Sequence, residues 1–215
     1  MGDTPLAWAA RNGHEGVVDI LLSRDDIDSD KPGEHGLTPL MLAACYGHEG
    51  VVKMLLGQDD VNPAKSGEFG HTPLCLAAQN GHEAIVKMLL GRNNVNPNMS
   101  GMNALTPLWL AARAGHEGVV KLLLGRGHID PDRSCLPGGT PLWQAAAHGH
   151  EAVVKMLLCQ NANANSPDQY GRTPLSMAAA NGHEGVVKLL LERDGLNPDF
   201  PDKRSQRPFS YGFTI

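Results

Sequence analysis

The sequence predicts an all-α repeat solenoid in which each unit is a helix-turn-helix followed by a hairpin loop. A Thr-Pro-Leu triplet recurs six times in the 215-residue chain, at spacings of 34, 34, 34, 34 and 33 residues. Apolar residues make up 41% of the chain and aromatic residues only 5%, so small and aliphatic side chains must do the packing. The triplets begin at Thr4, Thr38, Thr72, Thr106, Thr140 and Thr173.

The third copy, TPLCLAAQNGHEAIVKMLLG, shows how the first helix of a unit is encoded. Thr72 is a good N-cap, and Pro73 suits the first helical position, where its missing N–H costs no hydrogen bond. Leu74 and the Leu-Ala-Ala that follows form an apolar stripe with small residues that allow close packing. Gly81 tolerates the left-handed conformation that ends a helix. These residues predict a helix of about two turns.

The second helix of the unit follows at once. Glu83 lies in its first turn, where the helix dipole favours negative charge, and Ile85 and Leu89 lie on its apolar side. The preceding residue, His82, forms with Glu83 a His-Glu pair that is present in all six units. We interpret this pair as ordering the turn between the two helices.

A segment rich in Asn, Asp, Pro and Gly links each second helix to the next triplet. Asn62-Pro63 and Gly67 disfavour helix and predict an extended segment with a tight turn. Two helices this short cannot bury their apolar faces alone, so neighbouring units must stack and share a core. At the end of the chain, Pro208 and Phe209 keep the triplet register, and residues 201–215 are predicted to form a partial seventh unit that caps the core.

The pattern T-P-L-x-x-A-A-x-x-G-H-E-x-V-V-x-x-L-L resembles the ankyrin repeat. The resemblance implies L-shaped units whose first helices and hairpin tips line a concave surface. The copies, such as TPLWLAARAGHEGVVKLLLG, are nearly identical to one another. In this respect the chain resembles the ankyrin arrays of fungal proteins, including fungal NOD-like receptors. We expect a single ankyrin repeat domain over residues 1–215, with repeats that start near residues 3, 37, 71, 105, 139 and 172 and a partial repeat at 201–215.

Composition and motifs argue against several other classes of protein. The net charge is -5 and the basic residues are scattered, so we expect no nucleic-acid partner. No apolar run approaches the ~20 residues of a membrane span. The four cysteines form no C-x-x-C pair, which favours a reducing, cytoplasmic location. Each His-Glu pair is followed by Val where a zinc protease needs a second His, and phosphate-binding loops and nucleophile elbows are absent. We therefore expect neither enzyme activity nor a metal or cofactor.

Positions that differ between copies are the ones most free to contact a partner, because the repeated positions are committed to packing. They cluster at the hairpin tips and at the ends of the first helices, and we call them the variable strip. In the fold that the resemblance implies, the variable strip lines the concave face, where a protein or peptide would bind a monomer of this chain. The predicted partner-binding residues are His35, Leu37, Tyr46, Phe69, His71, Gln79, Met102, Leu105, Trp109, Arg113, Leu136, Trp143, His148, Tyr170 and Arg172.

Two questions stay open from the sequence alone. Trp109 and Trp143 directly follow their triplets, and they are either binding anchors or packing residues between first helices. The function is either interaction with a protein partner or ligand sensing as a segment of a larger fungal receptor. An enzyme with a site built on the loops and a purely structural spacer are alternatives of other classes.

Overall fold

The computed structural model describes residues 2–101, 104–135 and 138–200. Within these residues the chain forms twelve α-helices arranged as six pairs. The predicted cap at 201–215 lies outside the described residues. The helices are α1 (Pro5–Asn12), α2 (Glu15–Leu22), α3 (Pro39–Tyr46), α4 (Glu49–Leu55), α5 (Pro73–Asn80), α6 (Glu83–Leu90), α7 (Pro107–Ala114), α8 (Glu117–Leu124), α9 (Pro141–Ala147), α10 (Glu151–Cys159), α11 (Pro174–Ala180) and α12 (Glu184–Leu191).

Each first helix begins at the proline of its triplet because the preceding threonine caps it. In α7, the buried Thr106 accepts a hydrogen bond at Oγ1 from the backbone N–H of Trp109 over 3.1 Å. Pro107 occupies the first helical position, where no N–H is needed. Gly115 then closes the helix with φ 77°, in the left-handed region. Local residues therefore fix both ends, as the sequence predicts.

The helices form two layers. The odd-numbered helices α1 to α11 pack side by side as a first-helix layer, and the even-numbered helices α2 to α12 form a second-helix layer behind it. One continuous apolar core runs between the layers from Leu6 to Leu190 and includes the fully buried Ile85 and Leu89. The chain is therefore the all-α solenoid that the repeat spacing predicts.

The repeated histidines link neighbouring units. Nε2 of His116 donates a hydrogen bond over 3.0 Å to the carbonyl oxygen of Gln79, which lies at the end of the preceding first helix. The interpretation from sequence, in which the histidine orders a turn within its own unit, missed this link. The same bond joins His48 to Arg11, His82 to Cys45, His150 to Arg113 and His183 to Ala147, at distances of 2.8, 3.0, 3.0 and 3.1 Å.

In the first five units, the glycine that follows the first helix makes room for the histidine of the next unit. A Cβ atom added to Gly115 would lie 2.6 Å from Nδ1 of His150. Because Gly115 also has φ 77°, any other residue at this position is strained and displaces the ring. The Gly-His pair of the repeat is thus a contact between units.

We expect His116→Ala to lower the free energy of unfolding by about 1 kcal/mol, because it removes one hydrogen bond between units. His14→Ala is the matched control, since His14 donates no such bond among the described residues and is exposed, and we expect a change within about 0.5 kcal/mol. Urea unfolding of both variants measures the difference. Equal effects of the two substitutions would contradict the role of these histidines as links.

The cysteines differ in burial, and this predicts their reactivity. Cys75 and Cys135 are buried, and burial raises the pKa of both thiols, that of Cys135 to about 11. Cys159 is exposed at the end of α10. Because only the thiolate reacts, we expect a disulfide reagent at pH 8 to modify Cys159 quickly, and Cys75 and Cys135 only after denaturant is added. Mass spectrometry of the native protein showing rapid labelling of Cys75 or Cys135 would contradict this.

Candidate functional site: the variable strip

The predicted partner-binding residues differ in exposure. Met102 and Leu136 lie outside the described residues, so the structure places thirteen of the fifteen. Two of these thirteen, Trp109 and Trp143, are buried. The half-buried residues are Leu37, His71, Leu105 and Arg172. The exposed residues are His35, Tyr46, Phe69, Gln79, Arg113, His148 and Tyr170.

The hairpin tips are closed turns that contact one another. The backbone N–H of Gly67 donates to the carbonyl of His71 over 3.1 Å and closes one tip. The N–H of Glu68 in that tip donates over 3.1 Å to the carbonyl of His35 in the preceding tip. The rings of His35 and Phe69 lie 6.0 Å apart between centroids. These contacts hold Phe69 at the edge of the array with 51% of its surface exposed.

A second cluster joins α1 to the end of α3. The Arg11 guanidinium lies 5.5 Å from the ring centroid of Trp8 and 5.3 Å from that of Tyr46, within the range of cation–π contacts. Trp8 is 52% exposed and Tyr46 is 48% exposed. Sequence reasoning missed Trp8. The available signal is that this first-helix position is aromatic only in the first unit and is Leu, Gln or Met in the other five.

A third cluster is built on the last described hairpin tip. Asp168 is buried and accepts hydrogen bonds from the backbone N–H groups of Tyr170 and Arg172, each over 2.9 Å. Its Oδ2 also pairs with the Arg172 guanidinium at 2.6 Å. The guanidinium in turn lies 5.1 Å from the ring centroid of Tyr170 and 5.4 Å from that of Trp143. Asp168 thus fixes both the tip and the arginine beside it.

Trp109 and Trp143 are packing residues in this structure. They are only 5% and 6% exposed. Nε1 of Trp109 donates to the carbonyl of Gly139 over 3.1 Å, and Nε1 of Trp143 donates to the carbonyl of Arg172 over 2.8 Å. Each ring therefore runs from a first helix to the hairpin of the next unit. Of the two alternatives that the sequence leaves open, the structure favours packing between units, because a ring this buried offers a partner almost no surface.

A groove and a partly buried ion pair lie outside the variable strip. A groove of 360 Å³ lies in the second-helix layer, lined by Lys121, Leu124 and Met156 among others. Asp30 pairs with Lys65 at 2.9 Å in the loop region, and burial raises the pKa of its carboxyl. In the part of the chain that the structure describes, no group of three or more His, Cys, Asp or Glu side chains is arranged to hold a metal ion.

Comparison with known proteins identifies relatives by sequence and by structure. The family model for ankyrin repeats (3 copies) matches residues 1–65, 59–135 and 110–202. The crystal structure of the human ASB11 ankyrin repeat domain is similar, with a TM-score of 0.84 and 26% sequence identity over 94% of this chain and 88% of that chain. A search of the curated proteins finds no significant match. Among the described residues, no helix combines the length and apolar character needed to cross a membrane.

Proposed function

The chain belongs to the ankyrin repeat family, and on this basis we propose that it is a non-catalytic module that binds another protein through the variable strip. Ankyrin repeat domains are generally protein–protein interaction modules. The resemblance makes the variable strip the concave face of the array. The proposal concerns which surface binds and which side chains contact the partner.

The observation that carries the proposal is the placement of exposed aromatic side chains. Tyr46, Phe69 and Tyr170 are 48%, 51% and 43% exposed, and all three lie on the variable strip; Trp8, which shares the Arg11 guanidinium with Tyr46, is 52% exposed. The few interface residues that contribute most of the binding energy are enriched in aromatic side chains such as Trp and Tyr. Here they are presented by hydrogen-bonded tips and helix ends, so little side-chain entropy is lost when a partner binds.

We expect the triple variant Tyr46→Ala/Phe69→Ala/Tyr170→Ala to fold like the wild type and to lose its partner. A matched control is Ile20→Ala/Leu191→Ala, which removes two apolar side chains that are 68% and 54% exposed on the second-helix layer. Each protein is immobilised, exposed to a native lysate and washed, and captured proteins are quantified by mass spectrometry. The proposal expects a set of proteins held by the wild type and the control but not by the triple variant.

The same experiment separates an interaction module from a structural spacer. A structural spacer is indifferent to the substitutions, so identical captured sets from all three proteins would contradict the proposal. A sensor segment of a larger receptor uses the same strip but binds a foreign or internal ligand, and it differs from an interaction module in the flanking sequence. An enzyme needs titratable groups with shifted pKa values in a pocket, whereas the buried Asp30 carboxyl lies off the strip.

We also propose that the domain acts in the cytoplasm as a monomer. All four cysteines are free thiols, which suits a reducing compartment. Sedimentation of the purified protein tests the monomer, and a mass of about two chains would contradict it.

A further inference from the structure

Three arginines of the variable strip and its margin lie against aromatic rings. Arg11 lies 5.3 and 5.5 Å from the ring centroids of Tyr46 and Trp8. Arg113 lies 5.7 Å from that of Trp109, in the fourth unit. Arg172 has the same kind of contact with two rings in the sixth unit. A ring covers one face of a guanidinium and orients it, while the N–H groups on its edge keep their hydrogen-bonding capacity.

Only one of the three arginines has a carboxylate partner among the described residues. Arg172 pairs with the buried Asp168 through both Nε and a terminal nitrogen, at 2.8 and 2.6 Å. Within the described ranges, the ion pairs leave Arg11 and Arg113 without a carboxylate. Arg172 thus shows that a guanidinium that lies against aromatic rings in this chain can also pair with a carboxylate.

We propose that Arg11 and Arg113 each bind a carboxylate of an acidic, extended segment of the partner protein. This inference rests on the proposed function, because it gives the chemistry of the partner at the same strip. A guanidinium fork matches a carboxylate in a bidentate geometry, and such charge-assisted pairs are stronger than neutral hydrogen bonds. The two arginines supply two such sites, one near each end of the row α1, α3, α5 and α7.

The separation of the two arginines sets the length of the segment. Arg11 belongs to α1 and Arg113 to α7, three first-helix steps apart. Packed helices lie about 10 Å apart, so the two guanidinium groups are about 30 Å apart. An extended chain rises about 3.3 Å per residue, so about nine residues separate the two acidic positions. Between them the segment passes the exposed Tyr46 and Gln79, where an apolar or amide side chain fits.

Charge on the hairpin tips favours discrete carboxylates over a continuous row of phosphates. Glu34 and Glu68 are exposed at neighbouring hairpin tips, which belong to the same variable strip as the first-helix ends. A nucleic-acid backbone carries a charge at every nucleotide and would meet these carboxylates, whereas a polypeptide can place its acidic side chains only opposite the arginines. The net charge of -5 also opposes a polyanion.

The test is selection from a displayed library of random twelve-residue peptides. We expect the peptides enriched by the wild type to carry Asp or Glu at two positions about nine residues apart. The double variant Arg11→Gln/Arg113→Gln should bind the enriched peptides at least about tenfold more weakly, because two charge-assisted pairs are lost. Arg11→Lys/Arg113→Lys should restore part of the affinity, since the charge stays and the fork is lost. The control Lys53→Gln/Lys87→Gln removes equal charge from the exposed second-helix layer and should bind like the wild type.

Each other outcome overturns the inference in a recognisable way. Enriched peptides without acidic bias, whose binding is lost in Tyr46→Ala/Phe69→Ala, would overturn the acidic partner and leave the proposed function standing. Peptides bound equally by all variants would overturn both. A random single-stranded oligonucleotide that binds as tightly as the enriched peptides, and is lost in the double Gln variant, would replace the acidic polypeptide with a nucleic acid. Circular dichroism of each variant verifies that it is folded.

Discussion

Trp143→Ala is expected to lower the free energy of unfolding by about 3–5 kcal/mol, which is typical of truncating a buried aromatic side chain. The ring is 6% exposed and fills the space between α9 and the hairpin of the following unit. Its removal leaves a cavity and also leaves the carbonyl of Arg172 without the indole donor, which lies 2.8 Å away. Urea-induced unfolding followed by circular dichroism measures the loss.

Trp8→Ala is the matched control for Trp143→Ala, because both residues lie in the first turn of a first helix. Trp8 is 52% exposed, so we expect the free energy of unfolding to change by no more than about 0.5 kcal/mol. The affinity for a partner should show the opposite pattern, with a larger loss in Trp8→Ala than in Trp143→Ala. Similar destabilisation by the two substitutions would mean that the Trp143 ring is not a packing element.

Leu123→Ala is expected to lower the free energy of unfolding by about 2–5 kcal/mol. Leu123 lies in α8, is fully buried, and belongs to the continuous core between the layers. Because each unit is stabilised by its neighbours, the loss should also speed amide hydrogen exchange in the adjacent helices α6 and α10. Hydrogen exchange followed by mass spectrometry resolves the effect by unit.

The control for Leu123→Ala is Leu191→Ala, which removes the same atoms from a side chain that is 54% exposed at the end of α12. We expect little change in stability and no change in exchange in the fourth unit. If Leu123→Ala sped exchange only within α8, neighbouring units would not share their stability. That result would contradict the interpretation of the chain as a coupled array.

The helix boundaries follow from the sequence because they depend on residues close together in the chain. A threonine caps the helix that starts at the next residue, and Gly81, like its equivalents, ends a helix through its own backbone. The spacing of the triplets then predicts that like helices lie side by side. These features need no knowledge of distant contacts, so six helix pairs can be predicted from six copies of a pattern.

The environment of individual side chains does not follow from the sequence, because it depends on residues 30 or more positions away. Trp109 is buried and donates a hydrogen bond to Gly139, 30 residues further along the chain, and no periodicity in the sequence reveals this contact. His116 bonds to a carbonyl 37 residues earlier, in a different unit. Variation between copies therefore locates the strip but does not separate its contact residues from its packing residues.

The measurement that tests the central claim most directly is site-specific crosslinking to a partner in a native lysate. One protein carries p-benzoylphenylalanine in place of Tyr46 on the variable strip, and another carries it in place of Lys87 on the exposed side of α6. Each is irradiated, purified under denaturing conditions and analysed for covalent adducts. We expect a discrete protein adduct from position 46 and none of the same mass from position 87. The same adduct from both positions, or an adduct from position 87 alone, would contradict binding through the variable strip.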